Sequence, residues 1–120
     1  MKILLVDDEE RFVLFLSKRL AMRGIDTDYA NSGEEAVAMV TDHHYDVAVL
    51  DVKMPGISGI ALERKLRLLA PDMKTIFLTG HGSETDFKIG SAESVHYLSK
   101  PINIENLLEE LKNVMGRSSE

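Results

Sequence analysis

Ile3-Leu4-Leu5-Val6-Asp7-Asp8-Glu9-Glu10 is a run of four apolar residues that meets four acids without a break. The apolar part shows no polar alternation and is too short for a helix, so it reads as a strand buried on both faces. It is also too short for a secretory h-region or a membrane span. The acids that follow suit the positive end of a helix dipole, and taken alone they are a solvated helix start.

Working outward, the same strand type recurs. Phe12, Leu16 and Leu20, flanked by Val13 and Phe15, mark a first helix that Gly24 closes. Ile25–Ala30 alternates and reads as a more exposed strand. Ser32 and Glu35 have capping-box spacing ahead of Ala36, Val37 and Val40. Asp46–Asp51 is a second buried strand with an acid at its exit. After Met54-Pro55-Gly56-Ile57-Ser58-Gly59, the residues Ala61, Leu62, Leu66 and Leu69 mark a helix ended by Pro71. Lys74–Thr79 is a fourth strand, Glu84–Ala92 a short and weakly apolar helix, and Val95–Leu98 a fifth strand before Ser99-Lys100-Pro101. Asn103 caps a last helix carrying Leu107, Leu108, Leu111 and Met115. Five alternations of strand and helix call for a parallel, doubly wound sheet.

Composition agrees and narrows the function. The chain has 120 residues, 44% hydrophobic and 28% charged, enough for one domain with one sizeable core. Its 20 acids against 14 bases leave a net charge of −6, which argues against direct nucleic-acid contact. The first 60 residues hold 11 of the acids and 6 of the bases, so the surplus lies in the first half. No cysteine is present, which excludes a disulfide framework, a thiol nucleophile and a thiolate metal site. No signal or span stands out, and cytoplasmic residence without membrane contact is the expectation.

In a doubly wound sheet, the working edge lies beyond the carboxyl ends of the strands. The residues at those ends are Asp7-Asp8, Asp51, Thr79 and Lys100. None is informative alone, since a strand-end Asp is often only a cap or turn former. Together they form one chemical set. Three carboxylates repel and need a countercharge, and oxygen ligands suit Mg2+, which also draws in a phosphoryl group. Lys100 is a point charge for phosphate oxygens and Thr79 a hydrogen-bond donor. One carboxylate can serve as nucleophile and form an aspartyl-phosphate, with the rest of the work being positioning and charge neutralisation.

With these residues in place, the sequence resembles a receiver domain of the bacterial response-regulator family. The matching elements are Val6-Asp7-Asp8, Val49-Leu50-Asp51, Met54-Pro55 with Gly59, Leu78-Thr79-Gly80 and Tyr97-Leu98-Ser99-Lys100-Pro101, in family order and spacing. The resemblance covers residues 1–116 as a receiver domain, leaving 117–120 as a polar tail or the start of a linker. It implies a flavodoxin-like (βα)5 fold with strand order 2-1-3-4-5.

The resemblance also implies roles. Asp51 is the phosphoacceptor. Asp8 holds Mg2+ directly and Asp7 partly through water, with Asp51 and the backbone carbonyl of Lys53 completing the metal shell. Thr79 and Lys100 attend the phosphoryl group, and Tyr97 is the switch aromatic that follows Thr79, unless it is simply half-buried packing. The Lys100-Pro101 bond is expected to be cis. Lys53 and His81 either border the phosphoryl group and tune its hydrolysis or are solvated side chains. The implied partner is a sensor histidine kinase or phosphotransfer protein, and the 84–115 face is a candidate homodimer or output surface. Such a domain is not a classical enzyme, since it catalyses only its own phosphorylation and dephosphorylation.

Two positions depart from the family pattern. Glu93 and Ser94 stand where a Gly-Ala pair is usual, and Gly90 within the Glu84–Ala92 helix costs about 1 kcal/mol relative to Ala. That helix is therefore expected to be short or mobile. Other motifs read as incidental. His43-His44 lacks a third ligand nearby, and Gly80–Thr85 lacks the third glycine of a dinucleotide fingerprint and follows the wrong strand. An aspartyl-phosphate hydrolase of the haloacid dehalogenase type is the main alternative. It needs a second Asp two residues after the first, where this chain has Lys53. A flavin module is disfavoured because Asp7-Asp8 would repel the flavin phosphate.

Overall fold

The computed structural model describes residues 1–80 and 96–116. Strands β1 (Lys2–Val6), β2 (Asp26–Ala30), β3 (Val47–Asp51), β4 (Lys74–Thr79) and β5 (His96–Ser99) alternate with helices α1 (Glu10–Ala21), α2 (Gly33–Asp42), α3 (Gly59–Leu69) and α4 (Ile104–Gly116). Every pairing is parallel, and the order is β2-β1-β3-β4-β5, the flavodoxin-like order expected from the family resemblance. The expected Glu84–Ala92 helix, Gly90, His81, Glu93, Ser94, Val95 and the 117–120 tail lie outside the described residues.

The period of two along each strand splits the core into two layers. Leu4, Val6, Ala48, Leu50 and Phe77 face α2 and α3, packing on Ala36, Val40, Leu62 and Leu66. Ile3, Leu5, Val47, Val49, Ile76 and Leu78 face α1 and α4, packing on Val13, Leu16, Leu20, Leu107, Leu111 and Val114. The continuous apolar runs are thus explained: both faces of the central strands are covered.

Local signals set the helix starts. Ser32 Oγ accepts from Glu35 N–H at 3.1 Å, while the Glu35 carboxylate reaches back to Asn31 N–H, one residue before the usual capping-box donor, at 2.6 Å. Ser58 Oγ accepts from Ala61 N–H, and Asn103 Oδ1 from Glu105 and Asn106 N–H. At the end of α1, Gly24 (φ +78°) donates to Ala21 O and Ile25 to Leu20 O, the Schellman pairing that the glycine permits.

The helix faces differ from expectation in detail. In α1 the buried stripe is Val13, Leu16 and Leu20, while Phe12 is half-buried and Phe15 points outward with Arg19 5.4 Å from its ring centroid. In α3 only Leu62 and Leu66 of the expected stripe are buried; Ala61 lies one residue off that face and Leu69 sits at the last turn. Tyr45, which no periodicity singled out, is fully buried and donates its hydroxyl to Asp28 Oδ2 at 2.7 Å. His43 and His44 are exposed, as a solvated loop requires.

Candidate functional site

The carboxyl edge of the sheet collects the strand-end residues. Asp7 continues β1 by one residue, held by its own N–H on Ala30 O at 3.2 Å, and Asn31 Nδ2 donates to Asp7 O at 3.3 Å. Strand alternation puts Asp7 in phase with Ile3 and Leu5, and Asp51 in phase with Val47 and Val49, so both point to the α1–α4 side. Thr79 and Tyr97 are in phase with Phe77, on the α2–α3 side. Lys100 follows β5, its N–H on Thr79 O at 2.7 Å, and its peptide bond to Pro101 is cis.

Gly59 fits α3 against the end of β3. Its N–H donates to Val52 O at 2.8 Å, and a Cβ there would lie 2.1 Å from Asp51 O and 2.9 Å from Val52 Cα. Only glycine allows the helix to begin that close to the Asp51 backbone. The adjoining turn uses Gly56 at φ +87°.

One ligand oxygen from each of Asp7, Asp8 and Asp51 can be chosen so that all three lie within 4.8 Å of one another. Asp7 and Asp51 are buried and Asp8 is exposed, so the cluster opens to solvent through Asp8. Lys100 Nζ stands among the acids, 2.8 Å from Asp7 Oδ2, 3.0 Å from Glu9 Oε1 and 3.7 Å from Asp51 Oδ1. It also lies 4.9 Å from the centroid of the Phe12 ring. The Glu9 contact is a hydrogen bond. The Asp7 contact is close, yet Oδ2 is buried with no hydrogen-bond donor, so the pair is ionic without the angles of a hydrogen bond. Asp7 Oδ1 accepts from Glu9 N–H at 3.0 Å.

The electrostatics follow from this geometry. Burial is the largest influence on the Asp51 carboxyl, and the neighbouring Asp7 charge adds to it; against the pull of Lys100 and a hydrogen bond from Lys53 N–H, the pKa is pushed up to about 6. Burial likewise raises Asp7, and the contacts with Lys100 and Glu9 N–H only partly offset it. Burial would lower the Lys100 ammonium, but Asp7, Glu9 and Asp51 outweigh it and the pKa is raised. An isolated ion pair would lower the acid as it raised the base. Here both partners rise: burial outweighs the ammonium at Asp7, while the surrounding carboxylates outweigh burial at Lys100.

This donor set fits a hard divalent cation. It offers carboxylate oxygens only, one of them buried without a donor, and carries more negative charge than Lys100 balances. Thr79 is fully buried, and its hydroxyl makes long contacts to Leu98 O at 3.4 Å and Ser99 Oγ at 3.5 Å. Tyr97 is half-buried against the α2–α3 core layer, and Lys53 is exposed. Glu9 and Phe12 belong to the site although their sequence signals pointed elsewhere, Glu9 as dipole complement and Phe12 as core stripe. The position of Glu9, two residues after a strand-end Asp and at the start of a helix, was the available signal.

Among the described residues no helix is long and apolar enough to cross a membrane. A family model for the response regulator receiver domain matches residues 3–112. The two-component response regulator PhoP of Pseudomonas aeruginosa is 36% identical over 120 residues, 99% of this chain and 53% of that protein. Response regulator MprA of Mycobacterium leprae is 34% identical over 119 residues, 98% of this chain and 52% of that one. The chain therefore spans about half the length of these curated relatives. A response regulator receiver domain protein from Clostridium thermocellum superposes with a TM-score of 0.88 at 30% identity, covering 98% of this chain and 96% of the other. Response regulator TrrA from Thermotoga maritima, in complex with Mg2+ and BeF, superposes at 0.80 with 34% identity, over 95% and 98% of the two chains. The fold, the strand-end acids with Lys100, and these matches agree: the chain belongs to the response regulator receiver domain family of two-component signalling.

Proposed function

We propose that this domain is a Mg2+-dependent phosphorylation switch in which Asp51 accepts the phosphoryl group of a phosphohistidine. The observation that carries the reading is the Asp51 carboxylate, buried at a strand end between two further carboxylates and a lysine ammonium. An Asp51 oxygen forms the bond to phosphorus as the phosphorus–nitrogen bond breaks, and the imidazole leaves with the electron pair. Asp7, Asp8, Asp51 and the Lys53 carbonyl would hold Mg2+, which neutralises charge between the carboxylates and the incoming phosphoryl oxygens.

The chain's own groups do the positioning. Lys100, already 3.7 Å from Asp51 Oδ1, is placed to pair with a phosphoryl oxygen there. Thr79 holds its hydroxyl by long, weak contacts that cost little to break, so it is free to turn toward a new acceptor. Tyr97, on the same side of the sheet as Thr79, would follow into the space released. Phosphorylation adds nearly two negative charges, which bias this pair and the β5–α4 surface between two states. That surface is the one we assign to the output partner, a second copy of the chain included. Lys53, exposed two residues from Asp51, is assigned to tuning of phosphoryl hydrolysis. The phosphoryl donor is a sensor histidine kinase or phosphotransfer protein, and the compartment is the cytoplasm. The chemistry is confined to the domain's own phosphorylation and its loss.

Intact-mass measurement after incubation with acetyl phosphate and Mg2+, or with a phosphorylated kinase, tests the reading. One added phosphoryl group is expected, abolished by Asp51→Asn and by chelation. An adduct that persists at full yield in Asp51→Asn, or none from either donor, overturns it.

A further inference from the structure

Among the described residues, Lys100 has three acidic neighbours within 4 Å, of unequal kind. Asp7 and Asp51 belong to the buried carboxylate cluster, whereas the Glu9 side chain is 64% exposed at its rim. The directional bond of the ammonium goes to Glu9, at 3.0 Å, while its closer approach to Asp7 Oδ2 leaves that oxygen without a hydrogen bond. The Phe12 ring, one turn further along α1, supports the ammonium from the same side at 4.9 Å. The start of α1 therefore holds Lys100 from a point outside the cluster.

We infer that Glu9 is a positioning residue that anchors the Lys100 ammonium at the rim of the acid cluster and thereby leaves Asp7 and Asp51 available to a divalent cation. The inference rests on the metal site proposed above. Two cations compete for the same carboxylates: an ammonium 2.8 Å from Asp7 Oδ2 neutralises part of the charge a dication would use there, and would repel the dication besides. With Glu9 present, the ammonium keeps a charged acceptor when it yields Asp7. Without it, the remaining carboxylates within 4 Å among the described residues are Asp7 and Asp51 themselves, and Lys100 becomes a resident inhibitor of metal binding.

Calorimetric titration with Mg2+ tests this, with Glu9→Gln, Glu10→Gln, Lys100→Met and Glu9→Gln/Lys100→Met compared with wild type. Glu10 controls for charge, being the next exposed acid and forming no ion pair with Lys100. Glu9→Gln keeps the backbone N–H that serves Asp7, so the loop stays supported. Loss of the anchor is expected to weaken Mg2+ binding about five-fold, the equivalent of one well-made ion pair. Glu10→Gln should change it less than about two-fold. Lys100→Met should tighten binding, and in that background Glu9→Gln should act no more strongly than Glu10→Gln. A Glu9→Gln effect equal to that of Glu10→Gln, or one undiminished without Lys100, overturns the inference while leaving the metal site standing. Absence of Mg2+ binding by the wild type overturns both.

Discussion

Lys100 Nζ lies 2.8 Å from Asp7 Oδ2, a fully buried oxygen to which no hydrogen bond is made. The pair joins the end of the first strand to the residue that follows the fifth, across the carboxyl edge of the sheet. Its ammonium is shared with Glu9 and Asp51, so the cluster keeps excess negative charge in a buried place. Such charge opposes folding until a cation or protons neutralise it.

Asp51→Asn should therefore stabilise the metal-free protein at neutral pH. The folded carboxyl titrates near 6 against 3.8 in the unfolded chain, so between these values the folded state binds more protons. Stability contributed by this group is present below the unfolded value and lost as pH rises through the folded one. The loss is complete above the upper value and amounts to roughly 3 kcal/mol at most. Urea melts without Mg2+ should show Asp51→Asn ahead by about 1–3 kcal/mol at pH near 7.5, converging with wild type near pH 4. A constant difference across this range contradicts the assignment of Asp51 as the strained carboxylate.

Lys100→Met removes the countercharge and should destabilise the metal-free protein by about 1–3 kcal/mol, less than for a fully buried pair because the lysine is partly exposed. Added Mg2+ should recover more stability in this variant than in wild type, since nothing then competes for Asp7. The denaturation midpoint with and without Mg2+ measures both effects, and equal Mg2+ responses would argue against competition.

Gly59→Ala sets two effects against each other. In an open helix the change gains up to about 1 kcal/mol. Here the new Cβ meets the Asp51 carbonyl oxygen at 2.1 Å, a backbone atom that cannot rotate away. The steric cost of forcing β3 and α3 apart is expected to win by about 1–3 kcal/mol, and the shift moves Asp51, the proposed phosphoacceptor. Thermal melts should fall by several degrees and phosphorylation yield should drop with them. A stabilised, fully active variant would contradict the close approach.

Tyr45→Phe separates structure from signalling. The hydroxyl donates to Asp28 Oδ2 at 2.7 Å at the opposite end of the sheet from the acid cluster, and burial with the Asp28 charge keeps it protonated. Loss of this bond should cost about 1 kcal/mol. Phosphoryl transfer to Asp51 should be unchanged, as read by intact mass.

Much of the fold was legible because its signals are local. Buried strands announce themselves as unbroken apolar runs, and Ser32 and Asn103 stand where their hydroxyl and amide oxygens cap the next turn. The helix faces were less legible. Phe12, Leu16 and Leu20 have helical spacing, yet Val13 takes the buried place and Phe15 turns outward, because the face a helix buries depends on its rotation against a sheet. Likewise Tyr45 looks like an ordinary loop residue until the Asp28 of another strand is brought beside it.

By itself the sequence determined which residue types end each strand, and so which chemistry gathers at the sheet edge: Asp7-Asp8, Asp51, Thr79 and Lys100. Periodicity reports what a segment buries, but not which segment lies next to it, so the order 2-1-3-4-5 was implied by family resemblance rather than by spacing. Tertiary structure alone decided how the charges are shared. Lys100 and Glu9 are 91 residues apart, and it is the successive pairing of β1 with β3, β3 with β4 and β4 with β5 that brings the ammonium to the start of α1. The physical reason is range: propensity and capping act within a few residues, whereas burial and Coulombic interaction act between whatever the folded chain places side by side.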